Sequence, residues 1–272
     1  MPWSKAELNN REVFERDGVV IVRDVFDKQR MEALLQMWKD YAISTQRTIN
    51  RWNPVEWEID YHMPMALAYL YLEERLLDAV ETVIGPNICL YNRRFVVKDV
   101  HATGPVHLHQ DSCYHKGNLN KLSAFVPLTQ MTPANGGLNF YLGSHKMGFL
   151  GDAGAIAREH ATMFECISPV LNPGDVALMH SHCWHDSGPN TTSEDRVIAD
   201  IHYQPSDDPT GVALLRGKWL TDVRMPYGLR TQPFERSRVS RLKELQNIVD
   251  QQISDAVERA TFYPKLGDKH ES

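Results

Sequence analysis

The sequence predicts a β barrel or β sandwich flanked by helices, within one domain. From Ile88 to Tyr203, short β-type segments alternate with turn residues such as Asn172-Pro173-Gly174-Asp175, a pattern typical of all-β folds. Amphipathic helical stretches lie before and after this region. A chain of 272 residues with 42% hydrophobic residues is also long enough to bury one substantial core.

The N-terminal segment predicts a helix, a short strand and a second helix. Ser4 and Glu7 form a capping box, which is typical of the start of a helix. Gly18 is expected to end that helix, and Val19–Val22 has the continuous apolar character of a buried strand. Asp27 then precedes a second amphipathic stretch and is expected to cap it.

The rest of the chain predicts a loop, a helix, the β core and a final helix. Residues 45–65 have no clear period and predict a long loop, and the helix after them ends at Gly85-Pro86. An apolar stripe from Val239 to Val257 predicts a C-terminal helix that packs on the barrel rather than forming a dimer seam. The core strands are expected at Ile88–Val100, Leu122–Thr129, Leu138–Leu142, Cys166–Val170, Val176–His180 and Val197–Tyr203.

Composition excludes several classes of partner. The net charge of −6 provides no basic excess for phosphates, so we expect no nucleic-acid partner. The longest apolar run, Ala66 to Leu72, is far shorter than the roughly 20 residues of a membrane span. The first residues lack the apolar segment of a secretory signal, and the four cysteines form no C-x-x-C pair. A cytoplasmic protein is therefore expected, without a membrane partner.

A histidine cluster gives the first indication of chemistry. His109-Gln110-Asp111 follows a predicted strand, and residues i and i+2 of an extended backbone point to the same side. We place His185 at the end of a strand running from Val176 to His182. Two imidazoles and one carboxylate form a facial triad, which leaves open positions on Fe(II) for a chelating co-substrate and O2.

Other histidines compete for this role, because an H-x-D triplet alone is not specific. His107 is expected on the same face as His109, and His180 and His182 lie on the strand before His185. An H-x-H pair would suit zinc or a cupin-type metal site. The choice between the facial triad and an H-x-H site therefore depends on the residues around the triad.

The residues after His185 favour a 2-oxo acid as co-substrate. Ser187 lies two residues after His185, and Arg196 begins the next predicted strand. A guanidinium beside a hydroxyl would hold the distal carboxylate of such an acid. The alternative is a surface arginine paired with Glu194 or Asp195, which the neighbouring triad makes the weaker interpretation.

These motifs together resemble the phytanoyl-CoA dioxygenase (PhyH) family of Fe(II)/2-oxoglutarate-dependent oxygenases. The resemblance covers about residues 14–203. Two positions depart from it, since the family often has Trp at Phe125 and Pro at Leu142. The matching segments are Phe14 with Gly18–Val22, Val83–Ile88, His109–Asp111, Phe125–Leu138, Gly143–Lys146, Gly174–Val176 and Trp184–Asn190.

The resemblance implies a double-stranded β-helix, a cupin-like jelly roll, with its site residues. Helical N-terminal support would span 1–87, the β-helix core 88–205 and a C-terminal helical extension 206–272. The implied cofactors are Fe(II), 2-oxoglutarate and O2. The implied iron ligands are His109, Asp111 and His185; the implied co-substrate residues are Arg196 and Ser187, with Gln110 and Phe125 lining the pocket.

The implied activity is hydroxylation of a small molecule, with release of succinate and CO2. Asp111 retains the carboxylate that halogenating relatives lack, so oxygenation is expected rather than halogenation. Two alternatives remain at this stage: a cupin-type metal enzyme using His107 without 2-oxoglutarate, and a non-catalytic binding protein on the same fold. We expect a monomer or a homodimer. Arg93 and Arg94 alternate on one strand, so only one can face the interior.

Overall fold

Two antiparallel sheets pack face to face, and helices cover the outside of the larger one. The structure is a computed structural model, and it describes residues 5–45, 53–54, 63–99, 104–115, 117–118, 120–150, 156–221, 247 and 249–257. An apolar layer from both sheets fills the space between them, including Phe125 and Ile198 from one and Phe140 from the other. The prediction of a β core with flanking helices is confirmed.

Each sheet has a simple antiparallel order. In space the larger sheet runs β1 (Val19–Val22), β8 (Val176–His180), β5 (Leu122–Pro127), β10 (Arg196–Pro205), β3 (Ile88–Lys98) and β11 (Ala213–Arg216), with β2 (Asn53–Pro54) also on β3. The smaller sheet runs β4 (Val106–His109), β9 (His185–Ser187), β6 (Leu138–Tyr141) and β7 (Cys166–Ile167). Five α-helices have both ends within the described residues: α1 (Lys5–Asp17), α2 (Lys28–Thr45), α3 (Met65–Ala68), α4 (Glu74–Ile84) and α5 (Arg158–Ala161).

The N-terminal elements form as their local signals indicate. Helix α1 ends at Gly18, whose φ of 80° places it in the left-handed region that glycine tolerates best. Strand β1 joins the edge of the larger sheet. The Asp27 carboxylate accepts a hydrogen bond from the Arg30 backbone N–H at 2.8 Å, which caps α2. Ser4 lies outside the described residues.

Strand β10 is buried on both faces, so its alternate side chains lie in two different buried environments, the core beneath the helices and the space between the sheets. Outward residues join the core beneath the helices, which includes Val197, Ala199, Ile201 and Tyr203. The inward residues Arg196, Ile198 and Asp200 line the space between the sheets. An apolar strand with charged residues at alternate positions therefore places those charges inside the barrel.

Two local predictions need correction. His185 does not end the strand that precedes it: β8 stops at His180, and His185 begins β9 in the smaller sheet. The reason is a turn between them, in which the Cys183 N–H donates to the His180 carbonyl at 2.8 Å. Strand β11 was not predicted, and it lies in the segment expected to be a helical extension.

The chain ends and the long loop are described in part. Residues 249–257 are helical. Val249 and Ile253 join the core between the helices and the larger sheet, so this part packs on the barrel as predicted. Most of the predicted stripe from Val239 and most of the predicted 45–65 loop lie outside the described residues. Among the described residues, no helix has the length and apolar composition needed to cross a bilayer.

Candidate metal centre

Two paired strands bring the predicted triad together. His109 ends β4, His185 begins β9, and the two residues are register partners in the smaller sheet. Their ring centroids are 4.2 Å apart. Asp111 opens a short 3-10 turn immediately after β4, which directs its carboxylate toward the same point. Cross-strand pairing therefore joins residues that are far apart in the sequence.

The three side chains have the spacing of a metal site. Asp111 Oδ1 lies 3.7 Å from His109 Nε2 and 3.6 Å from His185 Nε2. One ligand atom from each residue falls within 4.8 Å of the others. Neighbouring ligands of an octahedral ion with bonds near ~2.1 Å are about 3 Å apart, so an ion could contact all three after a small inward shift. All three residues are buried.

Hydrogen bonds orient each ligand toward the centre. His109 Nδ1 lies 2.7 Å from the His107 carbonyl, and His185 Nδ1 lies 3.1 Å from the Cys183 carbonyl. A ring nitrogen facing a carbonyl must carry the proton, so each Nε2 keeps its lone pair for a metal. The Ser123 hydroxyl donates to Asp111 Oδ2 at 2.7 Å, which leaves Oδ1 facing the imidazoles.

Burial and charge set the protonation states that metal binding requires. Burial, assisted by the adjacent His109 ring, lowers the pKa of His185 to about 4, so His185 is neutral near neutral pH. Burial alone would raise the pKa of Asp111, but His185 and His109 outweigh it and hold that pKa well below its ordinary value. Burial opposes charge on His109 as well, but its contact with Asp111 outweighs burial and raises the pKa of His109, so a metal competes with a proton at that imidazole.

Arg196 is buried in the same cavity. Its Nη1 donates to the Gly136 carbonyl at 2.8 Å, whereas Nε and Nη2 have no hydrogen-bond partner among the described residues. The residue is 1% exposed, so it is not a surface arginine paired with Glu194 or Asp195. Burial lowers the pKa of Arg196 to about 10, and the guanidinium still carries its charge at neutral pH. A buried cation with unused donors is suited to an anionic ligand.

A cavity between the sheets connects the metal centre with Arg196. Ser187 lines it two residues after His185, on the same face of β9. The Ser187 hydroxyl accepts a hydrogen bond from Lys98 Nζ at 2.7 Å. Phe125 also lines the cavity, as predicted, with its ring 6.2 Å from that of His185.

The predicted role of Gln110 needs correction. Its side chain donates to the carbonyls of Gly148 and His182 at 2.8 and 2.9 Å, and accepts from the Leu150 N–H at 3.1 Å. Gln110 lies between two inward-facing residues, so backbone alternation directs it away from the cavity. It instead holds the loop around Gly148 against the turn before β9.

The competing histidines do not join the centre. His107 is exposed, because a register irregularity between Val106 and His109 breaks the alternation expected for β4. His180 and His182 pack against each other with ring centroids 4.9 Å apart. Within the described residues, the ligand-type side chains that gather closely enough for a metal are the predicted His109, Asp111 and His185.

The barrel interior also contains a polar cluster that the motifs did not predict, formed by Arg94, Asp200 and His202. Arg94 Nε donates to Asp200 Oδ2 at 2.6 Å, and Asp200 Oδ1 lies 3.0 Å from His202 Nε2. Arg94 and Asp200 line the cavity, whereas Arg93 faces the other way and lies 4.8 Å from the Tyr71 ring centroid. Charged residues at alternate positions of two apolar strands were the signal available in the sequence.

Comparison with known proteins identifies the family. A sequence profile described as phytanoyl-CoA dioxygenase (PhyH) matches residues 14–198. The 1-deoxypentalenic acid 11-beta-hydroxylase of Streptomyces exfoliatus is 25% identical over 240 residues, covering 75% of this chain and 84% of that protein.

Solved structures share the fold at lower identity. The epimerase SnoN, in complex with Fe3+, alpha ketoglutarate and nogalamycin RO, superposes with a TM-score of 0.66 at 21% identity, covering 84% of this chain and 96% of its own. EctD from S. alaskensis, with 2-oxoglutarate and 5-hydroxyectoine, superposes with a TM-score of 0.64 at 22% identity, covering 85% of this chain and 90% of its own. The predicted double-stranded β-helix is confirmed. The chain belongs to the phytanoyl-CoA dioxygenase (PhyH) family of Fe(II)- and 2-oxoglutarate-dependent oxygenases.

Proposed function

We propose that this protein hydroxylates a small molecule, with Fe(II) held by His109, Asp111 and His185 and 2-oxoglutarate held by Arg196 and Ser187. One observation carries the proposal: His109 and His185 of the facial triad line the same cavity as the buried, under-partnered guanidinium of Arg196. Neither feature is explained by packing alone. Together they supply one site for a metal and one for the distal carboxylate of its co-substrate.

The donor set fits Fe(II). Two neutral imidazoles and one carboxylate leave a bound Fe(II) with a net charge of +1, which favours a dianionic co-substrate. Three protein ligands on one face leave positions for 2-oxoglutarate and O2. When bound, the iron supplies oxidative decarboxylation of 2-oxoglutarate, coupled to oxidation of a substrate C–H bond, with succinate and CO2 as products.

The chain's own residues orient the co-substrate. Arg196 offers its fork of N–H donors to the distal carboxylate, and Ser187 adds a hydroxyl beside it. Phe125 closes the cavity between them and the triad, and its apolar ring helps to exclude water. The buried position of Arg196 strengthens its attraction for a carboxylate, because little solvent screens the charge.

Hydroxylation of a small molecule is the reaction that the comparisons favour. One relative is named as the hydroxylase of a carboxylic acid and others as ectoine dioxygenases. SnoN is an epimerase, and SnoK, whose solved structure also shares this fold, is a carbocyclase, so the fold alone does not set the outcome. Asp111 keeps the third ligand position occupied by a carboxylate, which favours oxygenation over halide transfer.

The alternatives are less consistent with the geometry. A cupin-type set that includes His107 does not form, because His107 is exposed. A non-catalytic binder would not need three mutually oriented metal ligands. We also propose a single oxygenase domain over 1–272, a cytoplasmic location, and a monomer or homodimer.

Succinate formation tests the proposal. Purified protein with Fe(II), 2-oxoglutarate and O2 would be screened against carboxylic acids, amino acids and acyl-CoAs, with Asp111→Ala as the matched control. We expect substrate-stimulated succinate from the wild type and none above background from the variant. Anaerobic addition of 2-oxoglutarate to the Fe(II) protein should also give a visible charge-transfer band. Absence of both signals would refute the proposal.

A further inference from the structure

A second buried cation lies beside Arg196. Lys98 ends β3, and its register partner across the larger sheet is Arg196, which begins β10. Arg94 and Val96 line the cavity, so strand alternation places Lys98 on the same inward side of β3. Lys98 is 3% exposed. Like charges directly opposite on two strands repel each other, and an anion bound between them would relieve that repulsion.

The Lys98 ammonium determines what the Ser187 hydroxyl can do. Lys98 Nζ donates to Ser187 Oγ at 2.7 Å and also donates to the Gly188 carbonyl. A serine hydroxyl has one proton to give. Because Ser187 accepts from Lys98 and faces the cavity, its own proton is available for an acceptor there. The contact therefore prepares Ser187 as a donor.

Gly136 allows both cations to approach this point. Its carbonyl accepts from Arg196 Nη1 at 2.8 Å. A Cβ at this position would lie 2.8 Å from Lys98 Cδ and 2.7 Å from the Gly188 carbonyl oxygen. The φ of 75° also favours glycine here. Packing thus brings Lys98, Ser187 and Arg196 to one end of the cavity, which we call the Arg196 end.

We propose that Lys98 is a positioning residue for the co-substrate, acting through Ser187 and through its charge to select a 2-oxo acid that carries a second, distal carboxylate. The proposal rests on the proposed function, since it takes 2-oxoglutarate as the ligand of this cavity. Lys98 does not touch the reacting keto carbon in this assignment. Its effect falls on the affinity and selectivity for the co-substrate.

The test compares two 2-oxo acids that share the metal-chelating head. Wild-type protein, Lys98→Met and Lys98→Arg would be loaded anaerobically with Fe(II) and titrated with 2-oxoglutarate and with 2-oxobutyrate, which lacks the distal carboxylate. Lys28→Met is the matched control, because Lys28 is exposed and lies on α2. The charge-transfer band measures both dissociation constants without turnover.

We expect Lys98→Met to weaken 2-oxoglutarate binding by about 10-fold or more and to leave 2-oxobutyrate binding nearly unchanged, so that the ratio of the two constants falls. Lys98→Arg keeps the charge and should retain part of the preference. The loss should also shrink in a Ser187→Ala background, because the two residues then act as one unit.

Three results would count against this assignment. A parallel loss for both acids would indicate a structural role and overturn it. An unchanged ratio in a folded Lys98→Met protein, or in Lys98→Gln if the methionine variant does not fold, would also overturn it. Wild-type protein that binds neither acid would instead refute the proposed function, and this inference with it.

Discussion

The two ends of the cavity are built from the same strand pair and handle charge in opposite ways. At the Arg196 end, the guanidinium has two nitrogens without a partner among the described residues. Four residues along β10, Asp200 binds Arg94 at 2.6 Å and His202 at 3.0 Å. We call this second group the Arg94 end. At the Arg196 end, Lys98 of β3 is the register partner of Arg196 of β10. At the Arg94 end, Arg94 of β3 is the register partner of Asp200 of β10.

The comparison separates a ligand site from an internal ion pair. A buried guanidinium that lacks a carboxylate is stabilised when an anion arrives, so the Arg196 end is built for an anionic ligand. The Arg94 end contains its own carboxylate, that of Asp200, and is stable without an anionic ligand. Under the proposed function, the distal carboxylate of the co-substrate binds at the Arg196 end, which leaves the Arg94 end for substrate.

Loss of Asp111 should remove the function that both ends serve. Asp111→Ala deletes the only anionic ligand of the triad, so we expect Fe(II) affinity and succinate formation to fall by more than about 100-fold. Bound iron after anaerobic dialysis and product formation measure the two effects. Asp40→Ala, an exposed carboxylate on α2, is the control. Full turnover by Asp111→Ala would contradict the assignment.

The two arginines should affect different ligands. Arg196→Met should raise the dissociation constant of 2-oxoglutarate by about 30-fold or more, as expected for removing one partner of a buried charged contact. It should change the KM of the substrate little. Arg94→Gln should have the opposite pattern, with its main effect on substrate. If both variants raised the dissociation constant of 2-oxoglutarate equally, the Arg196 end and the Arg94 end would not serve different ligands.

Breaking the internal ion pair should destabilise the metal-free protein. Asp200→Asn leaves Arg94 beside a neutral group in a buried setting, and we expect a loss of about 3 kcal/mol in the free energy of unfolding. Urea denaturation of the metal-free protein measures it. Adding Arg94→Gln to Asp200→Asn should recover part of the loss, since no charge then stays uncompensated. No recovery would indicate that packing, and not charge, holds this end together.

The smallest expected effect has the opposite sign. Arg196→Met in the metal-free protein removes a buried charge whose donors are partly unused, so the free energy of unfolding should rise by about 1 kcal/mol or stay level. The same urea titration measures this change, with Arg75→Met as the control, because Arg75 is exposed on α4. A large loss of stability would mean that Arg196 already has its partner within the protein.

The structure brings His109, Asp111 and His185 together as the motifs predict, because their geometry is local or comes from strand pairing. The spacing of His109 and Asp111 needs only a short extended segment, and Arg196 begins a strand as expected. Ser187 and Arg196 line one cavity, and their role in holding the co-substrate stays a prediction. By contrast, the register irregularity in β4 exposes His107, and alternation turns Gln110 toward the loop at Gly148. The register irregularity has no local signal, whereas the outward direction of Gln110 already follows from the alternation that places His109 and Asp111 on one side.

The sequence by itself determined the composition of the site: which side chains can bind a metal, which can hold a carboxylate, and that β strands carry them. Tertiary structure decided which charges are compensated. Register across β3 and β10 sets Lys98 opposite Arg196 and Arg94 opposite Asp200. The cost of a buried charge depends on its nearest partner in space, and sequence separation of about 100 residues hides that partner until the strands pair.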